Sequence, residues 1–430
     1  MRKALTLCQG KADLCLTTTV VNCNGNRKRC DVFYIMRPGP WGNPFVIGCD
    51  GTREEVIAKH RAWLLSQPEL VERARKELKG KTLACCCKPL ACHGDVLAEI
   101  ANEPMANPIL IDGNNLAMRS IMLAATDDLK AGETFTGGIW GTLSQLSSIL
   151  TNPLLNAAEI FAFWDAGIPE FRKKLIPEYK AERKEKQSKL TPEQKEKAYG
   201  QLMPIRKMLG LLGVVCVSYK NREADDGVAA ASQLLVQAGR SPIIVSSDKD
   251  LYQCVQWGAA QWDINKRVLV SEDNFTDATD GVELERWLLY RTLVGDTSDG
   301  IKGAPGCGPD RAKQAIALLE DTDPLGSVPG LASKLADKWP GECGEISAKA
   351  PKWAQGIWKD ADRLGCEMAG IDLEASFGDP AVLAPVLTRR PLVQPWAFLR
   401  FCRGLNFKSV LSDPDRFIGP FKKAADRRFM

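Results

Sequence analysis

The chain has 430 residues, 45% of them hydrophobic and 26% charged, which excludes a mostly disordered or fibrous protein and allows two or three globular domains. The formal net charge is only +4, so the distribution of charge is more informative than its total. The longest apolar run, from Leu209 to Val217, is far shorter than the roughly 20 residues that cross a bilayer. We expect a cytoplasmic monomer without a membrane partner.

The first hundred residues form a distinct cysteine-rich segment. Nine of the 15 cysteines and both histidines precede residue 95. Strands are predicted at residues 32–35 and 82–87, with one or two amphipathic helices over residues 53–79. We predict a small, separate α/β domain over residues 1–104. The apolar stretch after Met1 is shorter than the ~7–15 residues of a secretory signal, so we expect reduced thiols or metal ligands rather than disulfides.

Three consecutive cysteines, Cys85 to Cys87, are followed closely by Cys92 and His93. Thiolates and an imidazole are typical ligands of Zn²⁺. The alternative is a buried strand rich in small apolar cysteines, with His93 capping the next helix. Because the spacing differs from the paired C-x₂-C clusters of ordinary zinc modules, Zn²⁺ in the N-terminal domain is the less favoured interpretation.

The same segment, over residues 18–102, resembles the uncharacterised DUF4326 family. The resemblance depends on the Trp-Gly-Asn-Pro-Phe loop at residues 41–45 and on residues 83–95, which contain the cysteine and histidine cluster. It implies no particular activity. The ligand of this domain is therefore open.

Acidic residues at the ends of apolar runs dominate the next two hundred residues. Three predicted strands lead into an aspartate: Asp112, Asp165 and Asp248. Six more acids lie in tight groups nearby in the chain: Glu223, Asp225, Asp226, Asp250, Asp296 and Asp299. Ligands of open parallel sheets bind outside the carboxyl ends of the strands, and crowded carboxylates repel one another unless a cation lies among them. The pattern predicts a site for Mg²⁺ or Mn²⁺, although any one aspartate could instead be a helix N-cap.

A basic block separates two of these acidic groups. Residues 171–207 contain 12 Lys or Arg and 5 Asp or Glu. Such a run is often a solvated helix with i,i+4 ion pairs. Beside an acidic metal site, however, its cations and Tyr179 would offer phosphate contacts and base stacking.

A glycine-rich turn follows the last acids. The sequence Gly-Ala-Pro-Gly-Cys-Gly-Pro at residues 303–309 precedes a predicted helix and is typical of a helix–hairpin–helix turn. Its glycines would let backbone N–H groups approach a DNA phosphate. The predicted DNA-binding residues of this turn are Gly303, Gly306, Gly308 and Lys313.

Residues 108 to about 320 resemble the flap endonuclease family, the 5′-nucleases that include the 5′–3′ exonuclease domain of bacterial DNA polymerase I. The matching motifs lie in family order at residues 112–116, 177–183, 223–226, 247–252 and 295–300. The resemblance implies a PIN-like α/β domain with a parallel sheet, a helical arch at residues 171–200 and a helix–hairpin–helix at residues 294–320. A helical extension over residues 321–430 would complete the nuclease.

The resemblance also implies roles for residues and ligands. All nine acids would form the catalytic site and hold two Mg²⁺ or Mn²⁺ ions, with a K⁺ ion at the helix–hairpin–helix. A free 5′ single strand of DNA, or an RNA primer end on DNA, would pass through the arch and be cleaved. Arg172, Lys180 and Arg183 match the basic positions of the arch, and together with Tyr179 they are the arch residues predicted to bind DNA.

One position departs from the family pattern. Glu133 stands where the family usually carries a basic residue that steers the scissile phosphate, and Lys130 is the nearby candidate for that catalytic role. Two alternatives therefore remain beside a structure-specific 5′-nuclease. One is a catalytically impaired nucleic-acid binder, and the other is a PIN-type ribonuclease, which would lack the arch and the helix–hairpin–helix.

Overall fold

The computed structural model describes residues 17–23, 32–102, 106–124, 129–319, 327–341, 345–373 and 379–427. Parts of the predicted N-terminal domain and the end of the predicted helix–hairpin–helix therefore lie outside the described residues. The chain divides into two compact units: residues 1–106 with residues 426–430, and residues 107–425. Within the described ranges, no helix is both long enough and apolar enough to span a membrane.

The first unit contains a three-stranded parallel sheet in the order β1 (Thr19–Asn22), β3 (Thr82–Cys85), β2 (Phe33–Tyr34). Its described helices are Arg53–Leu65, Pro68–Glu77 and His93–Asn102. The helix at Arg53 begins there because Thr52 and Glu55 form a reciprocal capping box. The core of this unit is built from buried apolar residues of the sheet and all three helices, including Leu64, Ala74, Leu83, Leu97 and Ile100.

The second unit is built on a six-stranded sheet. Its order is β11 (Val268–Val270), β10 (Ala260–Asp263), β9 (Ile243–Ser246), β4 (Asn107–Asp112), β7 (Ala157–Phe163), β8 (Val215–Val217). Only β11 runs antiparallel to its neighbour. A separate two-stranded hairpin joins β5 (Lys130–Ala131) to β6 (Thr134–Phe135). Since β7, β4 and β9 are adjacent and parallel, their carboxyl ends meet at one edge of the sheet.

Helices cover both faces of this sheet. The described α-helices are, in chain order, Gly113–Leu123, Gly137–Leu150, Glu170–Leu175, Ala181–Ser188, Pro192–Tyr199, Leu202–Leu211, Ala224–Gln237, Phe275–Ala278, Trp287–Val294, Pro309–Ile316, Val328–Lys338, Lys352–Lys359, Ala361–Ile371, Ala384–Leu387, Pro395–Gly404, Lys408–Ser412 and Pro414–Arg427. Short 3-10 helices are Asp250–Trp257, Glu272–Asn274, Leu284–Arg286 and Pro380–Leu383.

The C-terminal helices contribute to the central core. Phe398, Phe407 and Phe421 belong to the same buried cluster as Ile109 and Ile111 of the sheet. A second cluster includes Val228 of the helix Ala224–Gln237 and the C-terminal Leu383. Residues after 321 therefore complete both faces of the sheet.

Candidate metal centre

Asp112 lies at the carboxyl end of the central strand β4 and is almost completely buried. Its Oδ1 accepts a hydrogen bond from the backbone N–H of Asn115 at 3.0 Å, so it is the N-cap of the helix Gly113–Leu123. Its Oδ2 accepts from the Ser246 hydroxyl at 3.3 Å. Burial, and then the negative charges of Asp165 and Asp225, raise the pKa of Asp112 to about 7.

Asp165 follows the neighbouring strand β7 and is exposed at the same edge. One of its carboxylate oxygens accepts from the backbone N–H of Ala224 at 2.8 Å, at the start of the helix Ala224–Gln237. Its own backbone N–H donates to the side chain of Asn114 at 2.9 Å. Loss of hydration, and then the charge of Asp225, raise the pKa of Asp165. These hydrogen bonds connect the ends of β4 and β7 to the acids at the start of the helix Ala224–Gln237.

Glu223, Asp225 and Asp226 surround the N-terminus of that helix, and their carboxylates lie close enough together to share a cation. The Arg172 guanidinium is buried among them: Nη1 lies 2.5 Å from Glu223, and Nη2 lies 2.9 Å from Asp226. The sequence suggested that Arg172 contacts DNA phosphate. In this structure the side chain is 2% exposed and its hydrogen bonds go to these acids and to the Gly370 carbonyl, and its contact with DNA phosphate stays a prediction.

Lys180 and Tyr179 also point into the site. The Lys180 ammonium lies 2.5 Å from Glu223 and 3.8 Å from Asp299. The Tyr179 hydroxyl donates to Glu223 at 3.1 Å, and its ring is buried, so it offers no exposed surface on which a base could stack. Arg183 is half exposed and pairs with Asp299 at 3.0 Å. Three of the four arch residues expected to bind DNA therefore contact Glu223 within the described part of the chain.

A second group of acids lies after β9 and before the glycine-rich turn. Asp248 and Asp250 are joined by a hydrogen bond from the Asp250 N–H to the Asp248 carboxylate, at 2.8 Å. Arg291 bridges two acids: Nε donates to Asp250 and Nη2 donates to Asp296, each at 2.8 Å. Arg291 was not singled out from the sequence. The available signal was a single arginine within the apolar helix Trp287–Val294, which must find an anionic partner when buried.

Burial and neighbouring charges shift the pKa values of the acids in this second group. Burial and then neighbouring acids raise the pKa of Asp248, while burial outweighs the opposing Arg291 in raising the pKa of Asp250. Burial also raises the pKa of Asp299 against the effect of Lys180. Asp296 differs: burial acts to raise its pKa, but hydrogen bonds from Ser298 and Arg291 lower it. The acids interact as one cluster across both groups.

The donor set fits a divalent metal. Four cations pair with the nine acids among the described residues: Arg172, Lys180, Arg183 and Arg291. The cluster thus keeps an excess of carboxylate oxygens, which are the ligands that Mg²⁺ and Mn²⁺ prefer. Asp112, Asp165 and Asp248 show no ion pair in the described structure, whereas Asp226 is fully enclosed beside Arg172.

Lys130 lies on the exposed hairpin that precedes the helix Gly137–Leu150. Its ammonium lies over the Phe135 ring, 4.0 Å from the ring centroid, and 3.7 Å from Glu193. None of its described ion pairs involves the nine acids. Glu133 is exposed in the turn of the same hairpin. Lys130 therefore lies beside the helix Pro192–Tyr199 of the basic block, and a catalytic role for it stays a prediction.

The glycine-rich turn contains glycines that close backbone packing requires and glycines that are exposed to solvent. A Cβ on Gly303 would lie 2.7 Å from the Val294 carbonyl carbon, and one on Gly295 would lie 2.6 Å from the Gly303 nitrogen, so both positions need glycine for close backbone packing. Gly303 is buried and is not available to a phosphate in this structure. Gly306 and Gly308 are exposed before the helix Pro309–Ile316, while the Lys313 ammonium donates to the Asp280 carbonyl. Of the four predicted contact residues, Gly306 and Gly308 are therefore exposed, Lys313 is partly exposed and Gly303 is buried.

Beside the acids lies a basic surface. The helices Ala181–Ser188 and Pro192–Tyr199 have no buried residue. The pairs Lys186–Glu182 and Lys189–Glu185 are i,i+4 ion pairs, as a solvated helix would show. A groove with a volume of about 490 Å³ is lined by Lys174 and Arg222, next to Glu223 in the chain. These two cations were not singled out from the sequence.

Comparison with known proteins finds a family match for each of two segments of the chain. Residues 107–280 match the family model described as "5′-3′ exonuclease, N-terminal resolvase-like domain". Residues 21–103 match the domain of unknown function DUF4326. Both resemblances expected from the sequence are thereby confirmed.

Similar proteins agree with the first match. A 5′-3′ exonuclease of Buchnera aphidicola subsp. Schizaphis graminum is 29% identical over 212 residues, which are 49% of this chain and 69% of the relative. The thermostable DNA polymerase I of Thermus thermophilus is 30% identical over 233 residues, 54% of this chain but only 26% of the polymerase. The flap endonuclease of bacteriophage T5, solved as a pseudo-enzyme–product complex with DNA and metal ions, has a TM-score of 0.50 at 19% identity and covers 70% of this chain and 98% of that chain. This likeness concerns the fold alone, and it confirms the predicted α/β fold of the 5′-nucleases.

Proposed function

We propose, on the premise that residues 107–280 belong to the 5′-nuclease family, that this protein is a metal-dependent nuclease that hydrolyses phosphodiesters near free 5′ ends. The observation that carries the proposal is the group of acids at the carboxyl ends of β4, β7 and β9 and around Glu223. Lys180 links Glu223 to Asp299, and Arg291 links Asp250 to Asp296. The carboxylates of this group outnumber the cations paired with them in the described structure, and burial, followed by the charges of neighbouring acids, raises the pKa of Asp112 and Asp248. Such a site is stable in its ionised form only when it holds added positive charge.

We assign the metal as Mg²⁺, with Mn²⁺ as a substitute, because all of the donors are oxygen atoms. Asp112, Asp165, Asp225, Asp248 and Asp250 would hold the metal. When bound, divalent metal supplies a water nucleophile at neutral pH and stabilises the charge on the leaving oxygen. We propose that the site holds two ions. The remaining acids, Glu223, Asp226, Asp296 and Asp299, are paired with basic residues and would complete the site.

The protein's own residues would order the substrate. Lys180 lies against Glu223 in the described structure, so a phosphate entering beside bound metal would compete for its ammonium. Arg183, half exposed, would contact the next phosphate, and Lys174 and Arg222 line a groove in which the backbone could continue. Exposed Gly306 and Gly308 would offer backbone N–H groups to the duplex. The substrate class is therefore DNA with a 5′ single strand, recognised by shape, with an RNA primer end on DNA as a second substrate.

The test compares a labelled 5′-flap duplex with the same duplex whose 5′ end carries a bulky block. Each substrate would be incubated with the wild-type protein in Mg²⁺ and in EDTA, and with the Asp248→Asn variant in Mg²⁺. We expect cleavage of the free flap that is abolished by EDTA and reduced by more than about 100-fold in the variant, since even outer-shell partners of a metal ligand contribute 10–100-fold. Asp277→Asn, which changes an exposed acid of the same unit, should cleave like the wild type.

The outcomes separate the alternatives. Equal cleavage of the free and blocked flaps would retain the metal site and exclude threading of a 5′ end. Cleavage of single-stranded RNA in preference to DNA would indicate the PIN-type ribonuclease. Binding of the flap without any metal-dependent cleavage would indicate a catalytically impaired binder and would overturn the proposed function.

A further inference from the structure

A second cluster of metal-ligating side chains lies in the first unit, outside the carboxylate centre. The ligand atoms of Cys85, Cys87, Cys92 and His93 all lie within 4.8 Å of one another. Cys85 ends the strand β3, Cys87 lies in the turn after it, and Cys92 and His93 lie at the start of the helix His93–Asn102. The cluster therefore spans one strand-to-helix connection.

Two distances within the cluster are close to those in a tetrahedral zinc site. His93 Nδ1 lies 3.8 Å from the Cys85 Sγ and 3.8 Å from the Cys92 Sγ. Zinc binds thiolate at about 2.3 Å and imidazole at about 2.0–2.1 Å, so ligand atoms at neighbouring corners of a tetrahedron lie about 3.5–3.8 Å apart. Both distances from His93 Nδ1 are close to that separation, and the other ligand atoms lie within 4.8 Å of one another.

The surroundings orient the imidazole for metal binding. Its other nitrogen, Nε2, lies 3.0 Å from the Ile35 carbonyl oxygen, to which only a protonated Nε2 can donate. A neutral His93 with its proton on Nε2 has its lone pair on Nδ1, which faces the two thiols. A backbone carbonyl that fixes the tautomer in this way is the usual outer-shell partner of a metal-ligating histidine.

A hydrogen bond to one thiol and a cleft beside another favour a thiolate cluster over a packed apolar strand. The Cys92 sulfur accepts a hydrogen bond from the backbone N–H of Gly94 at 3.3 Å. Cys87 is only half buried and lines a cleft of about 100 Å³ together with Cys85 and His93, which gives a metal ion a path to the cluster. The adjacent Cys86 is exposed and does not belong to the group.

We infer that Cys85, Cys87, Cys92 and His93 form a structural Zn²⁺ site. Four protein ligands of the S₃N type, with no fifth donor required, are typical of a closed structural zinc centre. The spacing C-x-C-x₄-C-H alone favours a buried cysteine strand, because the turn after β3 that brings these residues together is not evident from spacing along the chain. The ion would tie the end of β3 to the first turn of the helix in a unit whose small core benefits from such a crosslink.

The first experiment measures metal in the full-length protein. We expect one equivalent of zinc per chain by mass spectrometry after purification without added metal. Replacement by Co²⁺ should give the intense visible bands of tetrahedral cobalt and a thiolate-to-metal charge-transfer band in the near ultraviolet. Absence of both zinc and cobalt binding would overturn the inference.

The second experiment uses the neighbouring cysteines as a matched pair. Cys87→Ser, at the half-buried ligand, should weaken zinc binding by more than about 100-fold, because even outer-shell changes cost 10–100-fold. Cys86→Ser should leave it unchanged. Equal loss in both variants would overturn the assignment of ligands.

A third measurement does not depend on any variant. Alkylation of the native protein followed by peptide mapping should label Cys86 readily, and should label Cys87 and Cys92 only after chelation of the metal. Labelling of all three at the same rate before chelation would overturn the site, as would a disulfide between Cys85 and Cys92 in freshly purified protein. None of these readouts uses nuclease activity, so the result is independent of the proposed function.

Discussion

The Arg172 guanidinium lies 2.5 Å from the Glu223 carboxylate, and the two side chains are only 2% and 4% exposed. A second nitrogen of the same guanidinium lies 2.9 Å from Asp226, which is fully buried. Arg172 thus balances two acids that would otherwise repel each other at the N-terminus of the helix Ala224–Gln237. Removing one partner of a buried ion pair leaves an uncompensated charge, which is far more costly than losing a surface pair.

Arg172→Met should therefore destabilise the second unit by about 3–5 kcal/mol, as measured by the urea midpoint of the metal-free protein. Arg183→Met provides the control within the same basic block. Arg183 is half exposed, and its ion pair with Asp299 should contribute at most about 1 kcal/mol. If Arg183→Met destabilised the protein as much as Arg172→Met, the buried bridge would not be the source of the effect.

Asp112→Asn should stabilise the metal-free protein above neutral pH while preventing its stabilisation by metal. Asparagine keeps the N-cap of the helix Gly113–Leu123, so the change chiefly removes a charge. The pKa of Asp112 is raised from 3.8 to about 7 in the folded protein, so its contribution to stability is fully present below pH 3.8 and is lost as the pH rises through 7. At about 1.4 kcal/mol for each pKa unit, the advantage of the variant should reach at most about 4 kcal/mol at pH 8 and nearly disappear near pH 4.

The same variant should reverse in rank when Mg²⁺ is added. Metal that binds only the folded wild type at 100 times its Kd stabilises it by about 2.7 kcal/mol, and the variant should gain much less. Thermal unfolding at pH 8 with and without Mg²⁺ measures both differences. An Asp277→Asn control should follow the wild type. If Asp112→Asn were less stable than the wild type without metal, the buried charge of Asp112 would not be destabilising.

Asp112, Asp165 and Asp248 were accessible to sequence reasoning because each follows an apolar run, and parallel strands bring their ends to one edge. What the sequence did not specify was the pairing of cations with them. Phe171 to Lys207 read as one basic block, yet Arg172 is buried while residues 181–186 are exposed. The difference arises from tertiary contacts, since Arg172 meets Glu223 and Asp226 from distant parts of the chain. The role of Arg291 depends likewise on two acids that converge only in the fold.

Arg291→Lys should lower activity through positioning rather than through substrate binding. The guanidinium holds Asp250 and Asp296 at once, each at 2.8 Å, whereas a single ammonium cannot reproduce that fork. We expect kcat to fall on the order of 10–100-fold, with a higher Mg²⁺ requirement and little change in flap affinity. Activity measured across a Mg²⁺ titration would check this. A loss of flap binding with unchanged kcat would instead indicate that Arg291 contacts the substrate.

The exposed lysines of the helix Ala181–Ser188 should bind single-stranded phosphate, in contrast to the buried Arg172. Lys184 is exposed, and the ion pair of Lys186 with Glu182 lies fully at the surface, where such pairs contribute little. Each phosphate contact to a single strand contributes about 0.7 to the slope of log K against log salt, so Lys184→Gln with Lys186→Gln should reduce that slope by about 1.4. Binding of a 5′-flap duplex across a salt series measures the change, with Lys79→Gln in the other unit as the control. An unchanged slope would mean that this helix is only a solvated surface, and that any phosphate contacts come from Lys180, Arg183 and the groove beside Lys174.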